Sequence, residues 1–110
     1  MAYDEALAAR IRDRIGAAPD LSEKKMFGGL AFLIGGNMAV AASGQGGILV
    51  RVDPEQSDAL VASTPAEPME MRGKQMPGWL RVPTADVSAD AALAEWVDRG
   101  VGYARTLPAK

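Results

Sequence analysis

Anion recognition is the chemistry that the residue types of this chain favour most. Lys25, Arg51, Arg72, Lys74 and Arg81 fall together with Lys24 in the stretch read as strands and turns, and Trp79 stands two residues before Arg81. Directly opposed residues on paired strands lie roughly 4.5–5.5 Å apart, so Arg51, Arg72 and Arg81 could align on one sheet surface. The two-residue period of a strand puts Trp79 on the face of Arg81, an aromatic ring beside a guanidinium. Such a patch would take phosphate or the carboxylates of a partner. The plainer reading stays open: solvated strand positions answered by Glu67 and Glu70, with Trp79 in the core.

Other chemistries lack their residues. The sequence has no cysteine and no histidine, which removes thiol nucleophiles, zinc–thiolate sites and the commonest general base and metal ligand. Ser22, Ser43, Ser57, Ser63 and Ser88 therefore have no imidazole to activate them. Asp86 with Asp90, and Glu95 with Asp98, have helix-face spacing and read as a solvated face, with Asp86 or Ser88 capping the last helix. Gly44-Gln45-Gly46-Gly47 lacks the third glycine of a dinucleotide fingerprint, because position 49 is Leu49, and a strand follows it where phosphate binding needs a helix. It reads as a hairpin turn. Gly28-Gly29 reads as a bulge, and Met26, Met38, Met69, Met71 and Met76 as core packing in preference to an adaptable peptide surface. No catalytic residue, metal or cofactor is expected.

The elements that must position the basic residues follow from the hydrophobic period. Leu7, Ile11 and Ile15 recur four apart, which predicts a helix over residues 4–15 with Asp4 as its cap and Gly16 and Pro19 at its end. A period of two takes over. Leu30, Phe32 and Ile34 share one strand face, and Met38, Val40 and Ala42 share one face of the next, joined by Gly35-Gly36-Asn37. A third strand runs over residues 48–52. Asp53-Pro54 opens a two-turn helix over residues 54–62, and two further strands follow near Met69–Arg72 and Trp79–Val82. Pro77 and Gly78 place part of that pairing at an edge or bulge. Residues 89–107 form the last helix, where Gly100 and Gly102 would allow close approach to the sheet. The fold class is α+β, a two-layer sandwich of about five antiparallel strands with flanking helices in the order α-β-β-β-α-β-β-α. Phe32, Trp79 and Trp96 are expected between sheet and helices.

Chain length, 110 residues, suits one domain over residues 1–110. A formal charge of −2 argues against coating nucleic acid or an anionic membrane by bulk attraction. The acidic N-terminus shows no signal peptide and no apolar run is long enough to span a membrane, so a cytoplasmic protein is expected. Leu60 and Val61 give the short helix a sticky side, which makes a homodimer, or a partner docked through that helix or a sheet edge, the expected assembly.

Lys25-Met26-Phe27-Gly28-Gly29-Leu30-Ala31-Phe32, with Met71-Arg72-Gly73-Lys74 and then Gly78-Trp79-Leu80-Arg81-Val82, resembles the N-terminal domain of the bacterial TfoX/Sxy family over about residues 3–107. The resemblance implies this element order and an association with regulation of natural competence. The order also resembles the type III secretion chaperone architecture, by analogy alone. Full-length relatives carry a second domain, so a stand-alone N-terminal domain is expected from a sequence ending at Lys110. The function implied is non-enzymatic: a regulatory or protein-interaction module whose partner is a transcription regulator. Direct nucleic-acid binding through the basic strands is the alternative, and a small-substrate enzyme the remotest.

Overall fold

The computed structural model describes residues 3–26, 28–44, 46–71 and 73–109. Asp4 caps the first helix as its side chain suggests, Oδ1 accepting the Leu7 amide at 3.1 Å. That helix, α1 (Glu5–Ile15), turns Leu7, Ala8 and Ile11 inward. Next comes a strand that no apolar period announces, β1 (Leu21–Met26), with Ser22, Glu23, Lys24 and Lys25 exposed. It pairs only with β2 (Gly29–Ile34) and forms one edge of the sheet. Edge strands blunted by charge carry no apolar alternation, which is why the five expected strands become six. Gly28 is the positive-φ residue of the turn between them and not a bulge.

β2 and β3 (Asn37–Ala42) are joined at Gly35 and Gly36, whose φ of 59° and 84° is the conformation a two-residue hairpin demands. Their register passes from Phe32↔Val40 to Leu33↔Met38, so β3 carries one extra residue. A bulge reverses the faces on its far side. Met38 therefore leaves the face it was expected to share with Val40 and Ala42. After the glycine turn comes β4 (Ile48–Arg51), then a 3-10 turn (Pro54–Gln56) and α2 (Ser57–Ser63), with Asp53 Oδ1 accepting the Glu55 amide at 2.9 Å.

β5 (Glu67–Met71) and β6 (Lys74–Val82) complete one antiparallel sheet ordered β1-β2-β3-β4-β6-β5. Pairing of β5 with β6 jumps from Pro68↔Leu80 to Glu70↔Gln75, and the extra β6 residues include Pro77 and Gly78, the irregularity their types predict. The Gly78 amide donates to the buried Ser57 hydroxyl at 3.2 Å and its carbonyl accepts from Val52 at 2.8 Å, which ties the start of α2 to the sheet. A second 3-10 turn (Thr84–Val87) leads to α3 (Asp90–Ala104). Neither Asp86 nor Ser88 caps α3, because Ala89 holds that position and the Ser88 hydroxyl donates to the Ala85 carbonyl instead.

All three helices contribute to one core on one face of the sheet, from Leu7 and Ile11 through Phe32, Val50 and Leu80 to Trp96 and Val97, with Leu60 and Val61 of α2 packed against it. Gly100 lets α3 settle on β3. A Cβ built there would stand 2.4 Å from the Ala39 carbonyl oxygen, whereas one at Gly102 meets nothing within 4 Å. Among the described residues no helix is long and apolar enough to cross a membrane.

Candidate functional site

The opposite face of the sheet carries no helix but is apolar. Ala31, Met38, Ala41, Leu49 and Met69 form a second buried cluster there, with Met26, Leu33, Met76 and Trp79 half-buried against it. β2 and β3 thus put apolar side chains on both faces, and Met38 joins this cluster only because of the bulge. Met26 on one edge strand and Met69 on the other line the same hollows. The six-stranded sheet therefore curls its edges toward each other into a trough. Its larger hollow, about 510 Å³, is walled by Met26, Leu33, Met38, Leu49, Met69, Met76 and Trp79, with Lys24 and Arg51 as its charged members. A smaller one of about 170 Å³ adjoins it beside Ser43, Glu70 and Arg81.

Register places the cations. Arg51 stands opposite Trp79, and Leu49 opposite Arg81, on the neighbouring strands β4 and β6. Arg51 and Arg81 are thus diagonal neighbours on one face, roughly 7–8 Å apart at their backbones. The Arg51 guanidinium lies 5.1 Å from the Trp79 ring centre and 5.8 Å from that of Tyr103 at the end of α3, which fixes it at one end of the trough. Arg81 Nη1 donates to the Ser43 hydroxyl at 3.3 Å, with Glu67 opposite it on β5.

Ion pairing sorts the arginines by face. On the helix side Arg10 pairs with Asp90 at 2.9 Å, Arg12 with Glu23 at 2.7 Å, Arg14 with Asp98, Arg99 with Glu95 at 3.8 Å and Arg105 with Asp20 at 3.5 Å. Hydrogen bonds from Arg12 and Arg14, reinforced by their charge, hold the Glu23 and Asp98 carboxyls below the usual carboxylate range. Among the described residues no carboxylate stands within ion-pair distance of Arg51 or Arg81. Both belong to the helix-free face.

Of the residues singled out from sequence, the structure brings together Arg51, Trp79 and Arg81. Lys25 does not join them: it stands opposite Leu30, a residue of the helix-side core, so it shares that side, while its neighbour Lys24 faces Ala31 and the trough. Lys74 is exposed at the start of β6, opposite Met71, away from the hollows. Arg72 lies outside the described residues. Trp79 is half-buried on the open face and not, as expected, between sheet and helices, because strand alternation gives the helix side to Leu80 and Val82 and leaves Trp79 opposite Arg51 on the other. Leu60 and Val61, expected to contact a second copy, are half-buried and pack against the main core. The sheet edges are poor docking strips, with Glu23, Lys24 and Lys25 on β1 and Pro68 on β5. Met38 and Met69 are buried, as core packing predicts, but with the half-buried Met26 and Met76 they form a cluster apart from the main core.

Among the described residues no group of three or more acidic side chains could hold a metal ion. A trough with a methionine floor and two arginines offers an apolar surface and positive charge for binding.

A family model, the TfoX N-terminal domain, matches residues 13–104. The chain belongs to the TfoX N-terminal domain family. Membership makes it a module of regulatory type, related to competence regulators. The match spans β1 through α3, so the trough lies within the matched part of this TfoX N-terminal domain. No curated protein and no solved structure gives a match.

Proposed function

We propose that this TfoX N-terminal domain is a non-catalytic regulatory module that docks a protein partner, a transcription regulator in the family's setting, on the helix-free face of its sheet. One observation carries the reading: Arg51 and Arg81, the described arginines without a carboxylate partner, flank a helix-free apolar trough whose buried floor is rimmed by the half-exposed Met26, Leu33, Met76 and Trp79. An uncovered apolar patch edged by charge is the usual mark of an interaction surface on a folded domain. Trp and Arg are also the residues that most often dominate binding energy at such surfaces.

Nucleic acid is the second reading, favoured by the same arginines beside Trp79. The floor weighs against it. Bases stack on aromatic platforms, and phosphates draw on dense positive charge. Here the floor is methionine, leucine and alanine, the net charge is −2, and Glu70 lines the smaller hollow.

Photo-crosslinking in the native cell separates the readings. A photoreactive amino acid at Met76, on the open face, should give protein adducts, and one at the exposed Ala91 of α3 should give none. Nuclease-sensitive adducts from Met76 would move the function to nucleic acid. Equal labelling from both positions would end the proposal that this face is the docking surface.

A further inference from the structure

The geometry points to an acidic amphipathic helix as the occupant of the trough, one whose apolar stripe lies on the methionine floor with carboxylates reaching Arg51 and Arg81. The inference rests on the reading of the helix-free face as the docking surface and adds the chemistry of what docks there.

Four features of the trough lead to it. First, the binding groups are on a sheet face and not at an edge. Backbone donors and acceptors within the sheet are already paired along its ladders, so an added strand finds nothing to bond on a face, while a helix offers side chains alone. The sheet's other face shows the fit, since α3 lies there with Leu93, Trp96, Val97, Val101 and Ala104 inward. Second, the floor is built from Met26, Met38, Met69 and Met76 around Leu49. Methionine is unbranched and polarizable, and it suits surfaces that mould to an apolar stripe. Third, the larger hollow is one-sided in charge, while the smaller sets Glu70 beside Arg81. Lys24 and Arg51 line the larger hollow, Arg81 the smaller, and no described carboxylate pairs with them.

The spacing supplies the fourth feature. Arg51 and Arg81 are diagonal neighbours roughly 7–8 Å apart. Acidic residues four apart on a helix have Cβ atoms about 5–6 Å apart and side chains that splay outward, so one helix edge could reach both guanidiniums. Arg51 is held by Trp79 and Tyr103, and Arg81 by Ser43. Pinned cations lose less freedom on meeting a carboxylate than mobile ones. Charged contacts of this kind set the orientation of the helix and exclude basic helices, while the apolar stripe supplies the attraction.

The test is selection from a displayed library of helix-forming peptides, each apolar at i, i+3, i+4 and i+7 and random elsewhere, against the whole chain. Enriched peptides should carry Asp or Glu beside the stripe. Binding should shift the amide signals of Leu33, Met38, Leu49 and Trp79, and Arg51→Glu with Arg81→Glu should weaken it at least about tenfold. Thermal melting checks that the double variant is folded. Exchanging the peptide's Glu for Lys, with the protein unchanged, should cause the same loss without altering the protein at all. Neutral or basic peptides bound on the face, or acidic ones indifferent to both charge swaps, would overturn the acidic helix and leave the docking face standing. Peptides that shift only helix-side signals, or no enriched peptide at all, would overturn both.

Discussion

Replacing Gly100 by alanine should destabilise the domain, and replacing Gly102 by alanine in the same helix should not. Alanine gains up to about 1 kcal/mol over glycine in a helix, and the gain is smaller near its end. At Gly102 nothing stands within 4 Å of the new methyl group, so this gain is kept. At Gly100 the methyl would lie 2.4 Å from the Ala39 carbonyl oxygen and 3.2 Å from a Val50 methyl. A carbon–oxygen contact needs roughly 1 Å more than that. The Ala39 carbonyl belongs to the backbone of β3, so α3 must lift and loosen Trp96, Val97 and Val101. Overpacking of a core costs about 1–3 kcal/mol, and a backbone wall puts this case near the upper end. Subtracting the gain in propensity leaves about 2 kcal/mol of destabilisation. A change of 1 kcal/mol moves the melting temperature of a domain this size by about 4 °C. Differential scanning calorimetry should therefore place G100A about 8 °C below the parent and G102A up to about 4 °C above it. Equal stabilisation by the two would refute the seating of α3 on the β3 bulge.

The two sheet faces should also differ in urea. Phe32→Ala, at a fully buried position, should cost about 3–5 kcal/mol, and Trp79→Ala on the open face no more than about 2; equal costs would put Trp79 back in the core. The Glu23 carboxyl is held below its ordinary pKa when folded, so its contribution is complete above the unfolded value near 4 and lost as pH falls through the lowered one. The gap in melting temperature between the parent and Glu23→Gln should accordingly be constant from about pH 7 to 5 and close in more acid solution, and a gap that persists at about pH 2 would contradict the pairing with Arg12. Leu60→Glu should lower the urea midpoint because Leu60 packs on the core; an unchanged midpoint with a halved mass by light scattering would restore the contact between copies.

The helices and hairpins were legible because their signals are local. Asp4 and Asp53 cap as their types suggest, Gly35-Gly36 turn the chain, and Pro77-Gly78 break a ladder. β1 was not, since an edge strand of Ser22, Glu23, Lys24 and Lys25 needs no apolar period to pair. The binding face was half legible: Arg51, Trp79 and Arg81 follow from the two-residue period. Lys24 in place of Lys25 depends on a register that only pairing with β2 fixes. Met38 crosses to the open face through a bulge with no composition signature of its own. One signal was present in the sequence. Leu30–Ile34 and Met38–Ala42 are apolar at every position and not at alternate ones, the pattern of strands covered on both sides.

The most direct test of the docking face is a spectrum of the protein labelled at the methionine and isoleucine methyl groups, recorded with the partner recovered by crosslinking. Met26, Met38, Met69 and Met76 line the trough, whereas Ile11 and Ile48 lie in the helix-side core. The four methionine signals should shift or broaden on addition of the partner while Ile11 and Ile48 hold still. Unmoved methionines beside a shifted Ile11 would place the partner on the helices and contradict docking on the open face.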